Sequence, residues 1–146
     1  MNSRFESSGG FSLLELLIVV AIILVIATIA IPSLLRSRQS SNESAAVANL
    51  RTVSNAEATY ISSSGGYYGS TAQLVGERLL DDRFTRGVVS GYIYNVTSTG
   101  VAFTATAVPA SSNLGRYGYY MIPDGVIRYS TTLTLAPVGL AGQAVR

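Results

Sequence analysis

The 146-residue chain contains neither cysteine nor histidine. Without cysteine no disulfide can form, so the stability of the folded chain must come from packing. The same two absences remove the thiolate and imidazole ligands that most transition-metal sites use, and histidine is also the commonest general base. The sequence therefore predicts no metal site, no cofactor and no enzymatic activity.

Charged residues are few, and they are scattered along the chain. All ten basic residues are arginine, and with eight acids the net charge is +2. Because no basic patch forms, nucleic-acid binding is not indicated. Asp81 and Asp82 are adjacent, so their side chains point in different directions and do not form a catalytic pair. We expect a solvated turn or helix end there.

An uncharged apolar run from Phe11 to Leu35 is interrupted only by Glu15. About 20 residues follow this acid, and at roughly 1.5 Å per residue they match a bilayer core of about 30 Å. Isoleucine, valine, leucine and alanine surround the predicted helix on every side, so it lacks the polar stripe of a surface helix. We predict a transmembrane helix over residues 11–35. A carboxylate within it requires a functional explanation.

The residues before this run argue against an ordinary secretory signal. Such a signal has a basic start, a shorter apolar core and a cleavage site after that core. Here Arg4 is offset by Glu6, and the small residues Gly9 and Gly10 come before the core. Cleavage would therefore remove residues 1–10 as a leader and keep the apolar segment on the mature chain. An ordinary signal anchor is the simpler alternative.

Beyond the apolar run the sequence predicts a second helical stretch. Pro32 removes an intrahelical hydrogen bond, so a helix through it should bend there. From Asn42 to about Ser62, mostly apolar residues recur at three- and four-residue steps, which predicts an amphipathic helix. Ser40 and Glu43 fit a capping box that starts a fresh helix, but continuity with the first helix is equally compatible. The predicted stripe consists of Ala46, Leu50, Val53, Glu57 and Tyr60.

The second half of the chain predicts an antiparallel sheet. The segment around Gly65 and Gly66 lacks the lysine and the serine or threonine of a phosphate-binding loop. The two glycines instead predict the end of a helix. GYIYNVT and VAFTATAV flank the turn residues STG, and YGYYMI and VIRYS flank PDG. These patterns predict two hairpins and about four strands packed on the amphipathic helix. Residues 36–146 therefore form an α+β domain, with a short helix or connector at 74–80. No regular structure is predicted for 133–146.

The N-terminal pattern resembles a known family. A short polar leader ending at Gly10 precedes FSLLELLIVVAIILVIATIAIPSLL, with Glu15 at the fifth position of the mature segment and Pro32 inside the run. This combination resembles the class III signal of type IV pilins and related pseudopilins. The resemblance covers roughly the first third of the chain. The order of helix, glycine loop and antiparallel sheet behind it agrees with the type IV pilin fold.

The resemblance implies a processing and assembly route. A membrane-embedded prepilin peptidase would cut between Gly10 and Phe11 and N-methylate the new amino terminus of Phe11. Glu15 would guide assembly, and pairing it with the new amine of a neighbouring copy would offset part of the cost of burying the carboxylate. A repeated heterologous contact between apolar helices generates an open helical polymer. The expected function is a structural subunit of a type IV pilus.

The same resemblance implies partners and a location. The partners are identical subunits, the peptidase and the inner-membrane assembly machinery, with a single-pass inner-membrane state before assembly and an extracellular pilus afterwards. Arg36 and Arg38 alone would place the following domain in the cytoplasm, but the multi-residue motif places it outside. Two alternatives stay open: a pseudopilin of a type II secretion system, and a plain membrane-anchored extracytoplasmic binding domain.

Overall fold

The computed structural model describes residues 10–130 and 136–145. Most of the predicted leader, residues 1–9, lies outside this range, as do residues 131–135 and 146 of the tail. The chain divides into two compact units at the boundary between Arg36 and Ser37.

One long helix accounts for the first part of the described chain. Helix α1 spans Leu13–Ser63 and contains Pro32. Of the two alternatives at Ser40, the structure has the continuous helix. The helix stops where it was predicted to stop, because Gly65 and Gly66 take φ values of +74° and +94° that most residues avoid. The Gly66 amide donates to the Ile61 carbonyl at 3.0 Å, which satisfies one free carbonyl of the last turn.

The segment after α1 contains two short helices. Helix α2 spans Thr71–Gly76, so it begins before the 74–80 stretch that was expected to be a short helix or a connector and overlaps it only at 74–76. A 3₁₀ helix spans Asp82–Thr85, and the Asp81 side chain accepts a hydrogen bond from the Arg83 amide at 2.8 Å. Asp82 pairs with Arg86 at the surface. Asp81 and Asp82 therefore occupy a solvated helix start, as predicted.

Helix α2 ends in an unusual way. The Arg78 amide donates to Val75 and the Leu79 amide to Leu74, which is the hydrogen-bond pattern of a Schellman motif. Arg78 occupies the position past the helix end that glycine usually fills, and it has a φ of +60°. An arginine here holds a left-handed backbone conformation that costs on the order of 1 kcal/mol for residues with a side chain.

Within residues 10–130 and 136–145, six antiparallel strands follow in the order of the sequence. The four predicted strands are present, and the α+β prediction is confirmed. The two additional strands are β1 and β6, which have two residues each and are too short to show an alternating pattern. The strands are β1 Val88–Val89, β2 Tyr92–Ser98, β3 Phe103–Pro109, β4 Gly118–Met121, β5 Ile127–Ser130 and β6 Gln143–Ala144.

The core lies between the second part of α1 and one face of the sheet. Alternate residues of β2 and β3 are buried, as a half-buried antiparallel sheet requires. Ala46, Leu50 and Val53 of α1 are fully buried and belong to one hydrophobic cluster with Tyr92 and Met121 of the sheet. The predicted packing of the amphipathic helix on the sheet is therefore observed. Most of the strand tyrosines are structural, because Tyr92, Tyr94, Tyr119 and Tyr120 are all buried.

Candidate functional site

The predicted cleavage site lies just before α1. Gly10 and Phe11 are exposed and non-helical, and the Phe11 side chain is 76% exposed. The first helical hydrogen bond runs from the Leu16 amide to the Ser12 carbonyl at 3.1 Å. The bond between Gly10 and Phe11 is thus outside the helix. Exposed irregular backbone of this kind is what a peptidase can accommodate without unwinding a helix.

Glu15 lies in the first turn of α1 and is exposed. An acid at this end of a helix interacts favourably with the free amides and the helix dipole. Within residues 10–130 and 136–145, Glu15 makes no hydrogen bond or ion pair. Its carboxylate is therefore available to a group from another molecule.

The residues around Glu15 form a continuous apolar surface. Every leucine, isoleucine and valine between Phe11 and Leu35 is exposed, with side-chain exposures from 42% to 81%. Helix α1 is long and apolar enough to cross a membrane, and none of its most apolar stretch is buried. A surface of this kind is far larger than the apolar patches of soluble monomers and requires lipid or other protein to cover it. We call residues 11–35 the apolar segment.

Pro32 lies inside the helix near the end of the apolar segment. Its ring nitrogen has no hydrogen, so the carbonyl one turn earlier, that of Thr28, loses its helical donor. The Thr28 hydroxyl donates to the Val25 carbonyl at 2.7 Å. Gly10 and Phe11 thus lie just before α1, Glu15 in its first turn and Pro32 near the end of the apolar segment. The bend at Pro32 stays a prediction.

The second unit contains three buried polar residues on the inner face of α1, namely Glu43, Asn49 and Glu57. The Asn49 amide donates to the Tyr94 hydroxyl at 3.0 Å, and its carbonyl accepts from Arg83 at 3.3 Å. These bonds tie α1 to both β2 and the 3₁₀ helix. In a chain without disulfides, such contacts hold peripheral segments to the helix.

Glu43 ties a different segment to the helix. Its carboxylate accepts from the amide, Nε and Nη2 of Arg116, in the loop between β3 and β4. Asn42 and Gln39 donate to the carbonyls of Leu114 and Ser112 in the same loop, each at 2.8 Å. We call residues 110–117 the anchored loop.

Glu57 is the least satisfied of the three residues. Its side chain is 1% exposed, and Oε2 accepts from the Gly69 amide at 2.9 Å. Oε1 is buried without a hydrogen-bond partner, the one such side-chain atom within residues 10–130 and 136–145. Burial raises the pKa of the Glu57 carboxyl, and the Gly69 hydrogen bond opposes only part of this shift. Buried groups of this type are usually paired, so Glu57 requires an explanation.

Sequence reasoning placed Glu57 on the helix stripe but missed the roles of Glu43, Arg116 and Arg78. Glu43 continues the same three- and four-residue spacing one step towards the N-terminus, so that spacing was a usable signal for its burial. Arg116 lies in a loop far away in sequence, and no local pattern indicates its partner. The left-handed conformation of Arg78 has no sequence signal, because glycine is the residue expected there.

Comparisons with known proteins point to one family. The model of the prokaryotic N-terminal methylation motif matches residues 7–31. The chain is 28% identical to the type IV major pilin protein PilA of Myxococcus xanthus over 151 aligned residues, which cover 92% of this chain and 69% of that protein. It is 36% identical to the type IV wide pilus major component PilA4 of Thermus thermophilus over 70 residues, or 48% of this chain and 53% of the relative.

No solved structure matches the chain significantly. The fold is nevertheless the helix-and-sheet arrangement that the sequence resemblance predicted. The matched motif covers Gly10, Phe11 and Glu15, and the match to the Myxococcus protein extends over nearly the whole chain. The chain is thus similar to type IV pilins in its N-terminal methylation motif and, at 28% identity, over most of its length.

Proposed function

We propose that this chain is a structural subunit of a type IV pilus and that its apolar segment forms the core of the filament. The observation that carries the proposal is the exposed apolar surface of residues 11–35 with a single unpaired acid, Glu15. Before assembly, a lipid bilayer covers this surface. In the filament, the same segments of neighbouring copies cover it.

The proposal includes a processing step. A prepilin peptidase cuts the exposed bond between Gly10 and Phe11 and methylates the new amine of Phe11. The free amine is cationic at neutral pH, because amino termini have an unperturbed pKa of about 7.7 to 8.0. It pairs with Glu15 of a neighbouring copy, which offsets part of the cost of removing this carboxylate from water. A subunit at the wrong axial height leaves the acid unpaired.

Repetition of one contact explains why a filament forms. The surface around Phe11 and the surface around Glu15 differ, so their contact is heterologous and does not close after two copies. Each added subunit presents the same unsatisfied end to the next one. The relatives are named as major pilus components, and this proposal gives the present chain the same structural role without an enzymatic activity. The apolar segment anchors the subunit in the inner membrane before assembly.

Mass spectrometry of filaments sheared from cells that express the full chain tests the proposal. The expected result is an abundant polymer whose subunits begin at N-methylated Phe11. Recovery of only an uncleaved, membrane-bound chain would reject it. A secretion defect without recoverable filaments would favour the pseudopilin alternative.

Substitution of Glu15 tests the pairing within this proposal. Glu15→Gln keeps the size and polarity of the side chain but removes its charge, so we expect processing to continue and filament yield to fall at least about tenfold. Glu77→Gln, which removes an exposed acid in the other unit, is the matched control and should leave the yield unchanged. Equal yields from Glu15→Gln and the parent chain would eliminate the charge-pairing account.

A further inference from the structure

We propose that the pocket beside Glu57 is a contact site between subunits and that it accepts the guanidinium of Arg78 from a neighbouring copy of this chain. This inference rests on the proposed function, since it requires copies to lie side by side in a filament. It concerns the second unit and is separate from the contact between Phe11 and Glu15.

The pocket is an open cavity of about 200 Å³. Glu57 and Ile61 of α1 form one wall, and Tyr68, Phe103 and Pro123 form the others. The rings of Tyr68 and Phe103 pack against each other with centroids 5.0 Å apart. Aromatic faces next to a carboxylate form an environment that suits a cation, because the ring faces and the carboxylate both attract positive charge.

The carboxyl group in this pocket lacks a partner that it should have. Oε2 of Glu57 is bonded to the Gly69 amide, but Oε1 is buried without a hydrogen bond within the described residues. A buried carboxylate without a cation is costly, and a cation that reaches it removes that cost. Because Oε1 is covered in the isolated subunit, docking must displace the side chains above it. A guanidinium then donates to Oε1 while its plane rests on an aromatic ring.

A cationic side chain from this chain must be an arginine, because the sequence contains no lysine or histidine. Arg83, Arg86, Arg116 and Arg128 already bind partners within the subunit. The side chains of four others make no hydrogen bond or ion pair within residues 10–130 and 136–145: Arg36, Arg38, Arg51 and Arg78. The remaining two, Arg4 and Arg146, lie outside the described residues.

Arg78 is distinguished from the other three by its backbone. It has a φ of +60° at a helix end where glycine would fit without strain. A strained position that carries an exposed, unpaired side chain indicates that the side chain has a role outside the subunit. Arg36 and Arg38 directly follow the apolar segment, and Arg51 has ordinary helical geometry. The unpaired acid and the strained unpaired base are therefore complementary.

A double-mutant cycle on assembled filaments tests the pairing. Glu57→Gln and Arg78→Gln each remove one charge from the full chain, and the rate at which sheared filaments dissociate in detergent is measured. We expect each variant to dissociate about tenfold faster than the parent, and the double variant to dissociate no faster than either single one. Additive effects, or no effect of either substitution, would overturn the proposal.

Matched controls separate this contact from a general loss of charge. Arg86→Gln removes an exposed arginine that pairs with Asp82 within the subunit, so it should leave the rate unchanged. Arg51→Gln removes another unpaired arginine. If Arg51→Gln, rather than Arg78→Gln, loses its effect in the Glu57→Gln background, the assignment to Arg78 is wrong.

Crosslinking tests directly whether the two residues lie close together in neighbouring subunits, independently of how stable the filament is. The chain has no cysteine, so Ala58→Cys on the pocket wall and Arg78→Cys are the sole thiols in the double variant. A short bismaleimide should join subunits in filaments of the double variant and should not join those of either single variant. Filaments that form but do not crosslink count against this contact, whereas a parent chain that forms no filaments counts against the proposed function itself.

Discussion

Glu43 on α1 and Arg116 in the anchored loop form a bidentate ion pair, with Nε to Oε1 at 3.0 Å and Nη2 to Oε2 at 2.8 Å. The Arg116 amide also donates to Oε1 at 2.9 Å. The carboxylate side chain is 9% exposed and the arginine side chain 52% exposed. One buried acid on the helix thus fixes both the backbone and the side chain of a loop 73 residues away in sequence.

We expect Arg116→Ala to lower the free energy of unfolding by about 1.5–2 kcal/mol. The substitution leaves the buried Glu43 carboxylate with a single backbone donor, and hydrogen bonds to charged groups typically contribute about 1.5–3 kcal/mol. The exposure of the guanidinium places the expected cost near the lower end of that range. The measurement is denaturation of the full chain in detergent, monitored by the near-ultraviolet circular dichroism of tyrosine. All nine tyrosines lie at residue 60 or beyond, so this signal reports on unfolding of the second unit.

Arg86→Ala is the control for this measurement. Arg86 pairs with Asp82, and both side chains are mostly exposed, at 74% and 55%. Exposed pairs of this kind contribute about 0–1 kcal/mol. If Arg116→Ala costs no more than Arg86→Ala, the anchored loop does not depend on its ion pair.

The anchored loop also requires glycine at position 115. A Cβ added at Gly115 would lie 2.2 Å from Oη and 2.6 Å from Cζ of Tyr92, whose ring is fully buried. The Tyr92 hydroxyl donates to the Tyr117 carbonyl at 3.0 Å, so the ring cannot move away without breaking that bond. We expect Gly115→Ala to cost about 3 kcal/mol through overpacking, measured by the same denaturation experiment.

Gly76→Ala serves as the comparison for this substitution. Gly76 lies in α2 with ordinary φ and nothing within 4 Å of an added Cβ. Alanine there should stabilise the chain by about 0.5–1 kcal/mol, because it lowers the entropy of the unfolded chain and favours the helix. If Gly115→Ala lowers the free energy of unfolding and Gly76→Ala raises it, steric contact with Tyr92, and not the loss of a glycine as such, makes Gly115 necessary.

The parts of this fold that could be predicted are those with a local signal. The two helical stretches that make up α1, the stop at Gly65 and four of the strands follow from periodicity and turn residues, which act over a few positions. The continuity of α1 past Ser40 had no such signal. The two short strands have no such signal. Strand β6 forms because Gln143 and Ala144 pair with Tyr129 and Arg128 of β5, and that pairing depends on the tertiary structure.

The candidate sites divide in the same way. Gly10, Phe11, Glu15 and Pro32 lie in one short stretch of sequence, so a local pattern was enough to identify them as candidates. The pocket at Glu57 joins α1 to the start of β3 and to the turn at Pro123. Such a site exists only after the sheet has packed on the helix, and no short pattern encodes it.

The stability of the chain should depend on the ionisation of Glu57. Burial raises the pKa of this carboxyl above its ordinary value of 4.5, so the folded state holds the proton more tightly than the unfolded state. The contribution to stability is fully present below pH 4.5 and is lost as the pH rises through the folded pKa. Glu57→Gln mimics the protonated acid, and we expect it to be more stable than the parent by about 1 kcal/mol at pH 8. The two should converge towards pH 4.

Asp124 provides a control of opposite sign. The Arg128 guanidinium, which hydrogen-bonds this carboxyl, holds the pKa of Asp124 below its usual value of 3.8. Its contribution is therefore present above pH 3.8 and is lost as the pH falls through the lower folded value. Asp124→Asn should remove stability at neutral pH while Glu57→Gln adds it. A Glu57→Gln variant that differs from the parent by the same amount at pH 4 and pH 8 would show that the buried carboxyl does not titrate as described.

Relief of backbone strain gives the last prediction. Arg78 and Ser90 both have positive φ, at 60° and 50°, and glycine adopts this conformation without a steric penalty. Relief of the left-handed conformation gains about 1–2 kcal/mol, and the higher entropy of the unfolded chain with glycine offsets about 0.4–1 kcal/mol of that gain. We therefore expect Arg78→Gly and Ser90→Gly each to raise the free energy of unfolding of the unassembled chain by up to about 1 kcal/mol. The two variants should differ in the rate at which their filaments dissociate. Ser90→Gly removes no charge, whereas Arg78→Gly removes the proposed partner of Glu57. Measured together, unfolding in detergent and filament dissociation should show Arg78→Gly as a more stable subunit that forms a weaker filament, a combination that a purely structural role for Arg78 does not produce.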